Sequence, residues 1–376
     1  MEIPIFDLKK QYKLIQKEIE NSVKQVLKNG HYILGPNVDA LEKSVATYCG
    51  TSYAIGVASG TDALRLSLLS LEIGKDDEVI TTPFTFIATA QAITQIGAKA
   101  VLIDIEEDNF NMDLDKIEEA ITEKTKAILI VHIFGHTMDM RKLLSIAKKY
   151  NLFLIEDAAQ SFGSECNTAS FDSPPQWKKA GAMGDIGCLS FYPTKNLGGF
   201  GDGGMVITNK KEITDKIRSL RVHGGNSNNY SYDLLGYNSR LDEVQAAILR
   251  IKLRYVDQWI KLREKRASLY NKVLSKIPSI KIPVCKPYTK HSFHAYTIKT
   301  PLRDKLKKYL EKHGISTKIY YPIPVHLQKM YKNLNYDKLN LPVAEKICKQ
   351  VLSLPVYPEL EEEKILYVAK KIVSFF

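Results

Sequence analysis

Cysteine is scarce and scattered. Five residues, Cys49, Cys166, Cys188, Cys285 and Cys348, stand in a chain of 376. The count is odd and no two lie close together, which argues against a disulfide framework and against a zinc site and suits a reducing compartment. Long apolar runs are absent, and none approaches the length that spans a bilayer. The opening "MEIPIFDLKKQYK" has the features of neither a signal peptide nor a transit peptide, so a cytoplasmic location is expected. No internal repeat, low-complexity tract or block of five or six like charges is found. The net charge of +11 comes from lysines spread among glutamates, as in "EKTK" and "KEITDKIR". That pattern describes a solvated surface rather than a nucleic-acid or membrane partner, and the excess favours an anionic small substrate. No metal is expected.

What is present is an ordinary globular composition, 44% hydrophobic and 25% charged. The length suggests a large and a smaller domain, with a boundary placed at 255/256. The first two-thirds alternates amphipathic stretches with short apolar runs. "QYKLIQKEIENSVKQVLKNG", "TDALRLSLLSLEIG", "FIATAQAITQIG", "DLDKIEEAITEK" and "MDMRKLLSIAKKYN" read as helices. "YAIGVAS", "DEVITTP", "KAVLIDI", "KAILIVHIF", "LFLIEDA", "CLSFY" and "GMVITN" read as strands. Strands without polar alternation, separated by helices, predict a mostly parallel seven-stranded sheet covered on both faces, an α/β fold. The last third, from "VDQWIKLREKRASLYNKVLSKI" onwards, predicts an α+β domain with its own short sheet; the N-terminal helix is a candidate to pack on it.

Ligands of such sheets collect at the carboxyl ends of strands. Asp157 follows "LFLIE", Lys195 follows "CLSFY", the helix opening at "SGTDAL" follows "YAIGVA", and Phe86 follows "DEVITT". A helix N-terminus offers free N–H groups and a partial positive charge to a phosphate, although Ser59 or Thr61 as a plain N-cap explains the same letters. Lys195 sits before five glycines, at 198, 199, 201, 203 and 204, which predict a backbone that turns freely and approaches something closely. A surface lysine in a flexible turn is the bland alternative. Pro193 is expected to end the strand. Together the four places suit pyridoxal phosphate chemistry: a lysine for a Schiff base, an acid for the pyridine nitrogen, a phosphate site and an aromatic ring to stack.

"PFTFIATA", "EDAAQSFGS", "SFYPTKNLGGFGDGGM" and "GYNSRLDEVQAAIL" resemble the signatures of the DegT/DnrJ/EryC1/StrS family. The resemblance runs from "IPIFDLKKQY" to "YPIPVHLQKMY" and implies a sugar-nucleotide aminotransferase of the type I aspartate aminotransferase fold. It implies that Lys195 binds the cofactor and shuttles a proton, and that Asp157 pairs with the pyridine nitrogen. It further implies that Gln160 bonds the ring hydroxyl and that Phe86 stacks. Gly60, Thr61 and Ser190 hold the phosphate, with Asp62 in the same turn. Asn238 reaches the neighbouring subunit's phosphate, which makes the active form a homodimer. In this reading the glycines leave room for cofactor and sugar. His223, Arg240, Tyr320, His294 and His326 are candidates for the sugar or its diphosphate, and each has a structural alternative. Read from the residues alone, Ser239 caps a helix, with Asp242 as the acid of a capping box.

Two features depart from the family pattern. Tyr320 stands where many relatives have histidine, and a phenol carries no positive charge near neutral pH. The 165–184 loop is longer than usual and reads as an ordered surface excursion or a lid. The implied reaction passes an amino group from L-glutamate, through pyridoxamine 5′-phosphate, to a keto group on a dTDP- or UDP-linked hexose. The product would feed lipopolysaccharide, capsule, glycan or antibiotic synthesis. "GDGGM" and "YNSRLDEVQAAIL" are more similar to relatives acting on 3-keto than on 4-keto sugars. A pyridoxamine-dependent sugar dehydratase and a non-catalytic regulator are the rival readings; Lys195 disfavours the first, and an intact Asp157, Gln160 and Lys195 set the second.

Overall fold

The computed structural model describes residues 2–169, 173–225 and 230–376. Helix α1, Leu8–Asn29, starts where the Asp7 carboxylate accepts the Lys10 N–H, and it stops at Gly30, whose φ of 69° is costly for any residue with a Cβ. Helix α2, Pro36–Cys49, has proline in its first turn and ends at Gly50 in the same left-handed way. The alternation then begins: β1 (Tyr53–Val57), α3 (Gly60–Ser70), β2 (Glu78–Thr81), α4 (Ala88–Gln95), β3 (Lys99–Leu102), β4 (Thr125–Val131), α5 (Met140–Lys149) and β5 (Phe153–Asp157). A hairpin, β6 (Glu165–Asn167) and β7 (Trp177–Lys179), precedes β8 (Ile186–Ser190), β9 (Gly204–Thr208) and α6 (Lys211–Leu220).

Seven strands form one sheet in the order β1-β9-β8-β5-β4-β2-β3. All neighbours are parallel except β9, which runs antiparallel to both β1 and β8. The sheet is the expected one, and its strands are buried almost throughout.

"DLDKIEEAITEK" is not a helix. It makes two short 3₁₀ turns, Leu114–Lys116 and Glu118–Ala120. Its two fully packed apolar residues, Leu114 and Ile117, are three apart, the repeat of a 3₁₀ turn, and Ile121 is already extended. The strand read as "CLSFY" ends at Ser190, before Pro193 is reached. The 165–184 insertion is a hairpin held on a third strand, β10 (Thr289–Lys290), in an antiparallel sheet; residues 170–172 of it lie outside the described residues.

Helices α7 (Glu243–Leu253) and α8 (Val256–Leu274) lead to β11 (Tyr296–Lys299), α9 (Arg303–Lys312), α10 (Lys329–Lys332), α11 (Pro342–Gln350), β12 (Val351–Leu354) and α12 (Glu362–Phe375). Strands β11 and β12 pair antiparallel, and α8, α9 and α12 close a second apolar core around them. Helix α1 packs on α7, with Ile15 and Ile19 against Ile248, Ile251 and Trp259. Its approach is tied to the second core by Ile3, buried there, and by the Lys10–Glu361 pair at 2.6 Å. No helix among the described residues is long and apolar enough to cross a membrane.

Strand β5 ends in two buried acids, Glu156 and Asp157, on opposite faces. Glu156 Oε1 accepts the N–H groups of Met183 and Gly184, both at 2.6 Å, and Oε2 accepts that of Gly181 at 2.8 Å. His132 Nδ1 accepts the Met138 N–H, so its Nε2–H donates to Glu156 at 2.8 Å. Removing the carboxylate strands four buried donors. Glu156→Ala is expected to cost about 3–5 kcal/mol, the range for breaking a buried charged cluster. Urea unfolding at constant m checks this; an unchanged midpoint would remove Glu156 from the account of stability.

Candidate active site

Four chain segments meet at the carboxyl ends of β1, β5 and β8. The first is the start of α3. Ser59 caps it by accepting the Asp62 N–H, and its carbonyl accepts that of Ala63. The N–H groups of Gly60 and Thr61 are left without a protein acceptor among the described residues. So the capping alternative and the anion site coexist. Opposite stands Ser190: a methyl group on Gly60 would lie 2.7 Å from Ser190 Cβ. The glycine is required for this approach, which brings the free N–H groups of α3 beside a hydroxyl, as a phosphate needs.

The second segment is the end of β5. Asp157 is 6% exposed. Its Oδ1 accepts the Ala159 N–H at 3.1 Å, and its Oδ2 accepts the Thr89 hydroxyl at 2.8 Å. Burial raises its pKa, while Thr89, the Ala159 N–H and the Lys195 charge lower it. Gln160, three residues on, is committed at both ends. Its Oε1 accepts the Phe134 N–H at 3.0 Å, and its Nε2 donates to the Tyr321 hydroxyl at 2.8 Å, leaving one amide hydrogen for a ligand. Phe86 is 56% exposed, with its ring 6.3 Å from that of Tyr321, so one face is open.

The third segment carries Lys195, half-buried in a turn where its N–H bonds Tyr192 O at 2.9 Å. Burial lowers its pKa to about 8, opposed by the nearby Asp157 charge. Asn196 anchors the turn by donating to Phe162 O at 3.2 Å. The five glycines do not supply turning freedom, since none has a positive φ. Nor do the crowded ones face open space. A Cβ on Gly199 or Gly201 would meet the Gln245 amide at 2.8 or 2.9 Å, and one on Gly203 would meet Leu241 at 2.9 Å. They make room for α7 and its approach. Gln245 Oε1 also accepts the Phe200 N–H at 2.8 Å.

The fourth segment is 237–240, and here the capping-box reading fails. Helix α7 begins three residues later, with Asp242 at its N-cap and no side-chain cap bond. Ser239 is fully buried instead. It accepts the Ala58 N–H at 3.2 Å and donates to Asp62 Oδ2 at 2.9 Å. The other Asp62 oxygen is paired with Arg65, whose guanidinium lies 4.2 Å from the Tyr237 ring centre. With its N–H on Ser59 and its carboxylate on Arg65 and Ser239, Asp62 joins α3 to segment 237–240. Asn238 is exposed and Arg240 half-buried, with its Nε lacking a protein partner.

The other candidates lie apart from this group or in packed settings. His223 is exposed, at φ 67°, near the undescribed residues 226–229. His326 is fully buried with Nε2 3.3 Å from Glu345 Oε1, the setting of a structural histidine. His294 is buried near Lys195; desolvation holds its pKa well below the usual value, and its Nδ1 has no partner. Of the paired tyrosines, Tyr321 meets Gln160, whereas Tyr320 packs beside Tyr321 with its ring 5.8 Å away. Sequence reasoning missed Thr89, Tyr321, Asn196 and Gln245. The adjacent letters of "KIYYP" gave no means of choosing between the two tyrosines, and the other three act through contacts far along the chain.

These residues fit pyridoxal 5′-phosphate: an amine of lowered pKa, a buried acid with two donors, and free N–H groups of Gly60 and Thr61 beside the Ser190 hydroxyl. The comparisons agree with that chemistry. The model of the DegT/DnrJ/EryC1/StrS aminotransferase family matches residues 13–373. A chain from Geobacillus stearothermophilus named "Pleiotropic regulatory protein" is 44% identical over 378 residues, covering 100% of this chain and 99% of that one. A UDP-N-acetyl-3-dehydro-alpha-D-glucosamine 3-aminotransferase from Acidithiobacillus ferrooxidans is 42% identical over 370 residues, covering 98% and 97%. The crystal structure of S. venezuelae DesV in complex with a ketimine intermediate superimposes with a TM-score of 0.95 at 40% identity, covering 100% and 98%. The chain belongs to the DegT/DnrJ/EryC1/StrS aminotransferase family, and it is a pyridoxal-phosphate-dependent aminotransferase.

An amine attacks an aldehyde only when neutral. Capture of pyridoxal 5′-phosphate by the apoprotein is therefore expected to accelerate as pH rises towards about 8 and to level off above it. Rapid-mixing absorbance measures this directly. A rate independent of pH, or capture by Lys195→Arg, would show that another group is the acceptor.

Proposed function

We propose that this enzyme aminates C3 of a nucleotide-diphosphate 3-keto hexose, with L-glutamate as donor and 2-oxoglutarate as the released keto acid. The observation that carries the reading is the meeting of Lys195 and Asp157 at the strand ends that also carry Gly60 and Ser190. The A. ferrooxidans relative, named a 3-aminotransferase, supports the C3 position. The rival regulator reading, raised by the name of the G. stearothermophilus relative, leaves the buried Asp157 and the low-pKa Lys195 without a purpose.

The cofactor, when bound, supplies an electron sink for the carbon that loses its proton. Lys195 Nζ, neutral in about a tenth of molecules one unit below its pKa, takes and returns that proton. Asp157, ionised, keeps the pyridine nitrogen protonated, and Gln160 places its spare amide hydrogen on the ring oxygen. Gly60, Thr61 and Ser190 hold the phosphate, and Phe86 covers one face. Arg240, with an unpartnered Nε, offers charge to the sugar's diphosphate, and the basic surface draws such a substrate in. The boundary at 255/256 separates the sheet from the second core. Asn238, exposed between half-buried Tyr237 and buried Ser239, reaches the site of a second copy. The apolar groove of α1, with Leu27 and Phe200 exposed beside it, is the face that copy covers in a homodimer. The unpaired cysteines suit the cytoplasm.

The pyridoxamine-loaded protein, incubated with UDP- and dTDP-linked 3-keto and 4-keto hexoses, should yield an amine at C3, located by NMR. An amine at C4, or none, would overturn the assignment. Lys195→Ala should lose turnover and keep pyridoxamine phosphate; retained multiple turnover would mean the wrong lysine. Inactive Lys195→Ala chains mixed with inactive Asn238→Asp chains should recover activity from the one intact site of each mixed dimer. No recovery despite subunit exchange would confine each site to one chain.

A further inference from the structure

Asp157 is the terminal acceptor of a short hydroxyl chain that none of the roles above uses. Thr89 Oγ1 donates to Asp157 Oδ2 at 2.8 Å, and the hydroxyls of Thr85 and Thr89 are themselves 2.8 Å apart. Thr89 is fully buried and Thr85 is 5% exposed, so neither has water to turn to. A hydroxyl has one hydrogen. Because that of Thr89 is spent on Asp157, the hydrogen between the threonines comes from Thr85, and the chain runs Thr85 to Thr89 to Asp157. Thr85 lies in the turn that enters α4 and Thr89 in the first turn of that helix, on either side of Phe86.

We propose that Thr89, oriented by Thr85, is a positioning residue that holds Asp157 ionised and turned so that its free lone pairs face a protonated ring nitrogen. The proposal rests on the functional reading above. Its physical content is that donors to a buried carboxylate favour the charged form and fix its rotation. A protonated Asp157 would instead donate to Thr89 and reverse the chain, and would then have no attraction for a cationic ring. The other ionisable groups facing Asp157 are Lys195 from the turn after β8, His132 at the end of β4, Cys188 of β8 and Tyr321. Lys195 and His132 favour the ionised carboxylate but lack the hydrogen bond that aims it.

The test is pyridoxamine 5′-phosphate binding to apoprotein, followed by calorimetry from acid to neutral pH. Losing one hydrogen bond to a charged group should weaken binding by about tenfold or more in Thr89→Val at neutral pH. Because the Asp157 carboxyl becomes harder to ionise, the acid limb of the affinity profile should move to higher pH. Thr89→Ser, which keeps the hydroxyl, should restore both. Thr85→Val should shift the limb the same way by less. Thr89→Val with wild-type affinity and limb, or Thr89→Ser no better than Thr89→Val, overturns the proposal. If Thr89→Val does not fold, an unmoved limb in Thr85→Val overturns it. Wild-type apoprotein that fails to bind pyridoxamine phosphate at all would bring down the functional reading itself, a result distinct from equal binding by wild type and variants.

Discussion

One buried carboxylate organises the catalytic end of the sheet. Glu156 gathers three backbone N–H groups of the 181–184 turn and the imidazole of His132. It thereby fixes the end of β5 to the entrance of β8 and the exit of β4. The next residue, by the two-residue period of a strand, projects to the opposite side. Asp157 inherits its position from a neighbour that never sees the ligand. Ser190 and the Lys195 turn, carried on the same β8, inherit theirs likewise. A charge of this kind is tolerated in the interior because each of its lone pairs is met by a donor.

The acid and the amine modulate each other on that frame. Desolvation pushes Asp157 up and Lys195 down, so burial alone would neutralise both. Each is partly restored by the other's charge. The result is an amine lowered towards neutrality beside an acid that burial raises and its donors partly bring back, two groups whose differing surroundings assign them different tasks.

Much of this was legible in the sequence, because it depends on local pattern. The apolar runs gave the seven strands, and the strand ends gave Lys195, Asp157 and the opening of α3. The errors share a cause: each concerns a partner distant along the chain. Ser239 has the letters of a cap, yet Asp62 claims its hydroxyl from 177 positions away. The glycines after Lys195 have the letters of a flexible loop, yet Gln245 and Leu241 press on Gly199, Gly201 and Gly203, and backbone of Pro193 and Ser59 presses on Gly198 and Gly204. "DLDKIEEAITEK" has helical letters, but it buries Leu114 and Ile117 at a spacing of three, with Ala120 and Ile121 packed beside them, and the chain is extended by Ile121. Tyr321 and Tyr320 are alike to any local rule, and only the packed structure distinguishes them.

The place of β9 bears on how the chain is made. Among the described residues strand β1 pairs only with β9, and its register with Thr208 through Gly204 closes the ladder. A chain emerging from the ribosome therefore completes β1 some 150 residues before its partner exists. Until then the first strand is an open edge, and the turn that begins α3 has no Ser190 to face. Strands β2 to β5 can meet meanwhile, because their partners arrive in succession. The last antiparallel strand enters between β1 and β8 and joins the two parts of the sheet. Long-range pairing of this kind is slow and leaves apolar surface uncovered while it waits. The contact of Gly60 with Ser190 is thus among the last features to form during synthesis, after most of the large sheet has been translated.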